Sequence, residues 1–291
     1  MKILFMADFS ITASDILENK KVFDSYEDVE VDVIEVNLGE TKEERASYIL
    51  RTEQEGPEWT SVPEEVLEKV KDAEILITDF AAVGKEIMDA AKKLKLIGVL
   101  RSGVENVNLE EAKRRGIDVI CSPGRVAAPV ADYTVALMIA ETRNIVRSNL
   151  VSSQGEWKIR FRNFPYSHNM AGKTVGIIGF GNIGQMVAAR LKPFGVNLVA
   201  YEEYMPSEKV QKLGAQPVSL DTLLRISDYV TIHARLCEAT RGMIGKEEFA
   251  KMKKTAIFVN TARAGLVDED ALIWALQNDE IGGAALDVFA Q

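Results

Sequence analysis

The sequence is poor in the residues that build disulfide frameworks and zinc sites. Its 291 residues include 2 Cys and 2 His. Cys121 and Cys237 lie far apart, and neither belongs to a CxxC motif or a Cys/His cluster. This spacing predicts no disulfide scaffold and no metal site, and it is typical of a protein in a reducing cytoplasm.

Long apolar runs and an excess of positive charge are also missing. No apolar stretch approaches the roughly 18 residues needed to span a bilayer. The 35 Lys and Arg are outnumbered by 44 Asp and Glu, which gives a formal net charge of −9. An acidic surface repels nucleic-acid phosphates and anionic lipid headgroups. We therefore expect no nucleic-acid partner, no membrane partner and a cytoplasmic location.

What the sequence does contain is a regular alternation of short apolar runs with amphipathic helical patterns. The length alone favours two domains. The runs of strand length are residues 3–6, 31–36, 75–78 and 96–100, then 174–178, 197–201, 229–233, 256–260 and 284–288. Parallel strands need crossover connections, which the helices supply. The pattern therefore predicts an α/β protein with two doubly wound parallel sheets.

Three segments between these strands have a distinct pattern. Residues 63–71 and 84–94 are predicted helices, and residues 126–149 form an unusually long helical pattern that we interpret as a connecting or packing helix. Residues 152–170 carry aromatic residues, Gly155 and Pro165 without periodicity. We expect this last segment to be a loop, with His168 as a surface residue.

A glycine-rich motif follows the strand predicted at 174–178. Gly179, Gly181 and Gly184 form a GxGxxG motif that opens the next helical pattern. In that context the first glycine permits a tight turn, the second lets the backbone approach a pyrophosphate, and the third permits close helix packing. The alternative is that these glycines only form a strand-to-helix turn.

Glu202 follows the next strand, 18 residues after Gly184. An acidic side chain at this spacing accepts hydrogen bonds from the ribose hydroxyls of a dinucleotide. It also repels a 2′-phosphate, and Glu203 adds a second negative charge. The motif and Glu202 together predict that the chain binds NAD in preference to NADP. The alternative for Glu202 is a solvated surface carboxylate.

Three further motifs, together with the glycine loop, carry a family resemblance. They are RSGVENVN at 101–108, VTIHARL at 230–236 and VNTARAGLVD at 259–268. From about residue 96 onward, the chain resembles the D-isomer-specific 2-hydroxyacid dehydrogenases. The resemblance implies a flavodoxin-like substrate domain at 1–104, whose C-terminal return segment is absent from the sequence, and a Rossmann NAD-binding domain at 105–291. It also implies a homodimer.

The resemblance assigns roles to individual residues. Arg263 matches the position that binds and polarises the substrate, and the backbone of Ser102, Gly103 and Val104 matches a loop that binds the substrate carboxylate. The cofactor-binding positions are Gly179, Gly181, Asn182, Ile183, Gly184, Glu202, His233, Ala234, Thr240, Thr261, Ala262, Arg263 and Asp287. Without the resemblance, Arg263 is equally well read as a surface arginine, and residues 102–104 as an ordinary turn. The alternative for His233 is a histidine that caps the end of a strand.

The acid that protonates the product oxygen is missing from the sequence. Such a reaction needs a general acid with a pKa near neutrality, usually a histidine held by a carboxylate. In the family a Glu and a later His have this role, and the resemblance places both beyond Gln291. We expect either a chain that is incomplete at this end or a degenerate homologue, because neither His168 nor His233 is a convincing acid.

The resemblance leaves two functions open. The first is an NAD-dependent oxidoreductase that interconverts a D-2-hydroxy acid and its 2-keto acid. The second is a non-enzymatic, dimeric NAD(H)-sensing module of the corepressor type. The identity of the acid also stays open, because Arg101, Arg125, Arg160 and Arg162 could either bind a substrate phosphate or be solvated surface charges.

Overall fold

The chain folds into two compact units that divide between Arg125 and Val126. A computed structural model describes residues 1–164 and 169–289. His168, expected to be a surface residue, lies outside the described residues. Within the described ranges, none of the helices is long and apolar enough to cross a bilayer.

The first unit contains five strands and five α-helices. The strands are β1 (Lys2–Ala7), β2 (Glu30–Glu35), β3 (Ile75–Thr78), β4 (Leu96–Val99) and β5 (Asp118–Cys121). The helices are α1 (Ala13–Asn19), α2 (Lys42–Glu55), α3 (Glu64–Val70), α4 (Lys85–Ala90) and α5 (Leu109–Arg115). Local sequence sets several helix starts. At α2, the Thr41 hydroxyl accepts a hydrogen bond from Glu44 N (3.1 Å), and the Glu44 carboxylate accepts one from Thr41 N (3.2 Å), which is a capping box.

The first sheet is parallel throughout and has the strand order β2-β1-β3-β4-β5. This is the flavodoxin-like order, in which the direction of winding reverses between β1 and β3. Apolar side chains from the sheet and from α3, α4 and α5 form one core. Ligands of open α/β sheets bind outside the carboxyl ends of the strands at such a reversal point.

The described residues of the second unit, 126–164 and 169–289, form six strands and seven α-helices. The helices are α6 (Ala127–Thr142), α7 (Ile145–Ser153), α8 (Asn182–Leu191), α9 (Ser207–Lys212), α10 (Leu220–Ile226), α11 (Lys246–Lys251) and α12 (Glu269–Gln277). The strands are β6 (Thr174–Ile178), β7 (Asn197–Tyr201), β8 (Gln216–Pro217), β9 (Tyr229–Ile232), β10 (Ile257–Asn260) and β11 (Gly283–Leu286).

The second sheet is also parallel, with the order β11-β10-β9-β6-β7-β8. This is the Rossmann order, and the winding reverses between β6 and β9. Every residue of β9 and of β10 is buried. Strands covered by helices on both faces read as continuous apolar runs, which is why the sequence predicted them closely. The prediction of two doubly wound α/β sheets is confirmed.

The boundary between the units differs from the predicted one. The sequence placed it after residue 104, whereas the structure places it 21 residues later, after Arg125. The reason is that β5 pairs with β4, from Leu96 opposite Asp118 to Val99 opposite Cys121. The strand β5 has four residues, and its apolar run of Val119, Ile120 and Cys121 is shorter than any segment predicted as a strand.

The predicted helix at 126–149 is two helices instead of one. Asn144 lies between them in the left-handed conformation, with φ of 56°, which asparagine tolerates better than most residues. Its side-chain Nδ2 donates a buried hydrogen bond to Asn163 Oδ1 at 2.6 Å. This contact over 19 residues holds the break, so a local helical pattern could not reveal it.

Candidate functional site

The ends of five parallel strands bring the candidate cofactor residues to one edge of the second sheet. The register pairs Ile178 with Tyr201 and with Ile232, and pairs Asn260 with Ile232 and with Leu286. The next residue along each strand therefore lies in the same row. That row consists of Gly179, Glu202, His233, Thr261 and Asp287.

Two glycines of the GxGxxG motif are required by packing inside the unit. Gly179 has φ of +85°, and a Cβ there would lie 2.7 Å from the backbone nitrogen of Ala234 and 2.8 Å from the carbonyl carbon of His233. A Cβ on Gly184 would collide with the carbonyl oxygen of Gly179. The first and third glycines thus let the loop, the segment after β9 and the start of α8 approach one another closely.

The second glycine is different, because the space beside it is open. A Cβ on Gly181 would meet no atom within 4 Å, and Gly181 caps α8 without any side-chain hydrogen bond. Within the described residues, the backbone N–H groups of Asn182, Ile183 and Gly184 donate to no acceptor. Free amides at the start of a ten-residue helix, beside an open glycine, fit the pyrophosphate of a dinucleotide.

Asn182 and Ile183 have separate environments in this motif. Asn182 is exposed at the first position of α8, whereas the Ile183 side chain packs against the core of the second unit. The backbone of Ile183, and not its side chain, is therefore the part that is available to a ligand.

Glu202 is held in place by the glycine loop itself. Its Oε2 accepts a hydrogen bond from Phe180 N at 2.7 Å, and its Oε1 accepts one from Tyr204 N at 2.8 Å. The neighbouring Glu203 accepts a hydrogen bond from the Tyr201 hydroxyl and raises the pKa of that phenol to about 12. Two carboxylates therefore end β7, which favours ribose hydroxyls and disfavours a 2′-phosphate.

His233 lies directly after β9 with its ring partly covered. Its Nε2 is 3.0 Å from Thr231 Oγ1, and its Nδ1 is buried without a hydrogen-bond partner. Burial lowers the pKa of His233 to about 4 because a low-polarity environment disfavours the charged ring. The imidazole is therefore neutral near pH 7, and an unpaired buried nitrogen next to the glycine loop fits contact with a ligand.

The loop after β10 is braced by a residue to which the sequence analysis gave no role. Asn260 Oδ1 accepts a hydrogen bond from Ala262 N at 3.0 Å, and Asn260 Nδ2 donates one to Arg263 O at 3.0 Å. Asparagine side chains often hydrogen-bond to the backbone of a turn, and this tendency could have indicated a structural role for Asn260. The brace fixes the backbone at both Ala262 and Arg263.

Arg263 projects from this braced turn. It is exposed, and its Nη1 donates a hydrogen bond to Ala262 O at 2.9 Å. In residues 1–164 and 169–289, Arg263 pairs with no carboxylate. The guanidinium therefore keeps donors free for an anionic ligand, and a planar guanidinium can bind a carboxylate through two hydrogen bonds.

The remaining cofactor positions differ in what they can offer. Thr240 Oγ1 donates to Arg235 O at 2.6 Å and accepts from Cys237 N at 2.9 Å, so its hydroxyl organises its own loop. The buried Thr261 Oγ1 lies 2.8 Å from Thr134 Oγ1 on α6. Asp287 is exposed after β11, and its N–H donates to Asn260 O at 3.0 Å. Both threonine hydroxyls are thus engaged inside the protein.

The three predicted substrate-binding residues lie in the first unit, after β4. Ser102 Oγ accepts a hydrogen bond from Gly124 N at 3.3 Å and lies 3.4 Å from Ser122 O. Among the hydrogen bonds of the described chain, none uses the backbone N–H of Ser102, Gly103 or Val104. Three consecutive backbone amides without an acceptor among these hydrogen bonds are available to an anion.

The fold and the row of residues define the class of the second unit. An all-parallel sheet in Rossmann order, with a glycine loop at the reversal point and an acidic residue after the next strand, is a dinucleotide-binding domain. Residues 135–291 match the family model "D-isomer specific 2-hydroxyacid dehydrogenase, NAD binding domain". The chain belongs to this family of NAD-dependent oxidoreductases, and its cofactor is NAD.

Two curated relatives and one solved structure illustrate the similarity. The chain is 42% identical over 231 residues to D-3-phosphoglycerate dehydrogenase of Methanocaldococcus jannaschii, covering 78% of this chain and 43% of that protein. It is 39% identical over 231 residues to glyoxylate reductase of Thermococcus litoralis, covering 78% and 70% respectively. A glyoxylate reductase structure from Paecilomyes thermophila is 28% identical, with a TM-score of 0.76, covering 100% of this chain and 82% of that one.

The first of these relatives is much longer than the region of similarity. The chain spans less than half of the phosphoglycerate dehydrogenase and about two thirds of the glyoxylate reductase from Thermococcus. The two relatives also carry names for different acids, one phosphorylated and one not. Similarity alone therefore leaves the substrate open.

Proposed function

We propose that the protein interconverts a D-2-hydroxy acid and the corresponding 2-keto acid by hydride transfer with NAD. The observation that carries this proposal is the single edge of the second sheet that presents the glycine loop, Glu202 and the unpaired guanidinium of Arg263. One part of that edge suits a dinucleotide, and another suits the carboxylate of an acid. The two requirements of the reaction meet at one end of one sheet.

We assign the cofactor to the glycine loop and to the strand ends beside it. The free amides at the start of α8 bind the pyrophosphate, and Glu202 accepts hydrogen bonds from the ribose hydroxyls. When bound, the reduced cofactor supplies a hydride to C2 of a 2-keto acid, and one proton then joins the carbonyl oxygen to complete the hydroxy acid. His233 lies beside the glycine loop. Its neutral ring forms part of the proposed cofactor-binding surface and adds no positive charge there.

Arg263 has the role of substrate anchor in this proposal. Its guanidinium binds the substrate carboxylate and polarises the adjacent carbonyl, which stabilises the negative charge that develops on oxygen. Asn260 keeps the turn in position through its two hydrogen bonds to the backbone. The free amides of Ser102, Gly103 and Val104 are proposed as a further site for the substrate carboxylate.

We assign the proton transfer to a group other than His233. Its pKa is about 4, so the ring is a base too weak to carry a proton near neutral pH. Its Nε2 is also engaged with Thr231. A histidine that merely lies near the cofactor is not sufficient for general acid catalysis.

The experiment that tests the proposal is steady-state oxidation of NADH, followed by absorbance, with a panel of 2-keto acids. We expect turnover with at least one short 2-keto acid and formation of the D-isomer of the hydroxy acid. Dinucleotide binding without turnover of any 2-keto acid would instead support the NAD(H)-sensing module. The dehydrogenase and reductase activities named for the relatives favour the enzyme.

We further propose that the protein works as a homodimer through an apolar surface on α6, α7 and the segment that follows. The exposed residues of this surface are Tyr133, Ile145, Val146, Leu150, Trp157, Ile159 and Phe164. The Trp157 side chain is 86% exposed. Seven large apolar side chains are thus exposed on successive elements of the chain, and extensive exposed apolar surface usually marks an interface. A second copy of the chain is the occupant that we propose.

Sedimentation velocity tests the dimer with two matched substitutions. Leu150 is 57% exposed on this surface, and Leu17 is 51% exposed on α1 of the first unit. Leu150→Glu should convert the dimer to a monomer, whereas Leu17→Glu should leave it intact. A wild-type protein that sediments as a monomer at micromolar concentration contradicts the proposal.

A cytoplasmic location is also part of the proposal. Cys121 and Cys237 are both free and exposed in the structure. Exposed thiols persist in reducing compartments and oxidise elsewhere. Fractionation of cells that express the tagged protein would test this location directly.

A further inference from the structure

The arginine closest to the proposed carboxylate-binding loop is already occupied by the protein itself. Arg101 immediately precedes Ser102, and its side chain is only 12% exposed. Its guanidinium pairs with Glu105 at 2.8 Å and with Glu53 at 3.6 Å, and its Nε donates to Gly103 O at 3.2 Å. Its charge and its donors are thus engaged by the first unit.

The other two guanidinium groups at this edge also have partners within the first unit, but of different kinds. Arg125 lies 3.3 Å from the carboxylate of the buried Asp79. Arg45 donates from Nε to Gly39 O at 2.8 Å and lies over the ring of Phe9, 5.4 Å from its centroid. Arg125 is thus paired with a carboxylate, and Arg45 is held by a backbone carbonyl and an aromatic ring.

Carboxylates outnumber these cations. Glu53 and Glu105 flank Arg101, Asp79 faces Arg125, and the buried Asp8 accepts hydrogen bonds from Ser10 N (2.8 Å) and from Phe80 N (2.9 Å). Four carboxylates therefore share the edge with three guanidinium groups. A dianionic phosphate brought to this edge meets an excess of like charge.

A stack of aromatic rings occupies the reversal point between β1 and β3. Phe9 follows β1 and Phe80 follows β3, and their rings stack with centroids 5.5 Å apart. The guanidinium carbon of Arg101 lies over the Phe80 ring, 4.9 Å from the ring centroid. The stack links Arg101 to the ends of both strands, and swinging the guanidinium toward a substrate would break these contacts as well as its ion pairs.

We propose that the first unit selects a short 2-keto acid without a phosphate group. The selection follows from the engagement of Arg101 by Glu53 and Glu105 and from the surplus of carboxylates beside the loop of Ser102, Gly103 and Val104. This inference rests on the proposed function, because it assumes that the loop receives the substrate. The proposed substrate class therefore differs from the one that the name of the phosphoglycerate dehydrogenase relative indicates.

The test uses two substrates that differ only in the phosphate. We expect kcat/KM for hydroxypyruvate to exceed that for 3-phosphohydroxypyruvate by about 100-fold in the wild-type protein, given two or more like charges at close range. Glu53→Gln and Glu105→Gln each remove one carboxylate from Arg101. Each should reduce this ratio by about fivefold or more, through a gain in kcat/KM for the phosphorylated substrate.

Glu55→Gln is the matched control. Glu55 lies on α2 two residues from Glu53 but pairs with Arg51, so the ratio should not change. A wild-type preference for the phosphorylated substrate, or an unchanged ratio in both Glu53→Gln and Glu105→Gln, overturns the inference.

A second readout separates this inference from the proposed function. Calorimetric binding of D-glycerate and of D-3-phosphoglycerate in the presence of NADH needs no turnover. Tighter binding of the unphosphorylated acid without any turnover would contradict the proposed function and retain the inference. Turnover combined with tighter binding of the phosphorylated acid would support the proposed function and contradict the inference.

Discussion

Both units are doubly wound parallel sheets, but they differ at the point where the winding reverses. One unit has open space beside a glycine there, and the other has stacked aromatic rings. In the second unit, β6 ends in a glycine loop with an open space beside Gly181 and free amides at α8. In the first unit, the corresponding space is filled by the stacked rings of Phe9 and Phe80. The comparison shows that a doubly wound sheet supplies a location for a ligand, whereas the residues after the strands decide whether one binds.

Charge separates the two edges as well. Arg263 in the second unit is exposed and has no carboxylate partner among the described residues, whereas Arg101 in the first unit is covered and paired with two carboxylates. Both are arginines close to the end of a parallel strand. Their environments make the first a candidate ligand anchor and the second a positioning residue for its own loop.

The largest expected effect comes from breaking the glycine loop. Gly179→Val should lower NAD affinity by roughly 100-fold or more and destabilise the second unit by about 3 kcal/mol, because the new side chain meets Ala234 at a left-handed backbone position. Gly181→Ala should lower NAD affinity by about tenfold and leave stability within about 1 kcal/mol. Fluorescence titration and urea unfolding measure the two quantities separately.

The glycine pair distinguishes packing from ligand contact. If Gly181→Ala bound NAD as tightly as the wild-type protein, the open space would not be the pyrophosphate site. If Gly179→Val were as stable as the wild-type protein, the close approach of the segment after β9 would not constrain the loop.

The next largest effect concerns Arg263. Arg263→Ala should reduce kcat/KM for the keto acid by about 10²- to 10³-fold, because it removes the charge that stabilises the developing oxyanion. NAD affinity should change by no more than about twofold, since the free amides and Glu202 remain. Activity that survives within about tenfold, which is ~1.4 kcal/mol, would remove Arg263 from the role of anchor.

His233 should make the stability of the second unit depend on pH in a way that the stability of the first unit does not. The first unit has no histidine, whereas His233 has a pKa of about 4 when folded and an ordinary value of 6.5 when unfolded. Between these values the unfolded chain binds a proton that the folded chain does not. The stability from this group is therefore complete above pH 6.5 and falls as the pH drops toward 4.

The difference between the folded and unfolded pKa values of His233 sets the size of the expected loss of stability. Lowering the pH from 7 to 4.5 should cost the wild-type second unit about 2 to 3 kcal/mol more than it costs His233→Gln. Urea unfolding at both pH values, with hydrogen exchange to resolve the two units, measures this effect. Equal losses in the two proteins would show that the imidazole is not shielded from water.

Replacing Glu202 should produce a smaller change, in cofactor preference. Glu202→Ala should narrow the preference for NADH over NADPH by about tenfold, because a carboxylate that repels the 2′-phosphate is removed. Glu203→Ala is the matched comparison and should have a weaker effect, since that carboxylate is engaged by Tyr201. A wild-type protein that binds NADPH more tightly than NADH contradicts the assignment.

The smallest expected effect is on the aromatic stack of the first unit. Phe80→Leu should destabilise that unit by about 1 kcal/mol, the usual contribution of an aromatic pair beyond burial. NAD affinity should not change, because the glycine loop belongs to the other unit. A loss of NAD affinity in Phe80→Leu would contradict the division of roles between the two edges.

Local patterns were sufficient for the elements that are buried on both faces. The predicted strands at 174–178 and 197–201 match β6 and β7 residue for residue, because each is a short, mainly apolar run between helical patterns. The GxGxxG motif also lies where it was expected, between β6 and α8. Strand β5 escaped prediction because its apolar run has only three residues.

The candidate site was less predictable than the sheets. Thr240 and Thr261 were expected as cofactor contacts on the basis of the family resemblance, and those roles stay predictions. The structure shows that one hydroxyl organises its own loop and that the other bonds to Thr134. Asn260 received no role, although it holds the turn that carries Arg263.

The sequence by itself determined the α/β class, the two sheets and the glycine loop with its acidic partner, because each depends on residues close together in the chain. Tertiary structure alone decided that β5 joins the first sheet and that the long helix breaks at Asn144. It also decided that Arg101 pairs with carboxylates, whereas Arg263 pairs with none among the described residues. Asn144 bonds to a residue 19 positions away, and Arg101 pairs with Glu53, 48 positions before it. Such partners meet only when the chain has folded, so no local pattern of residues could reveal them.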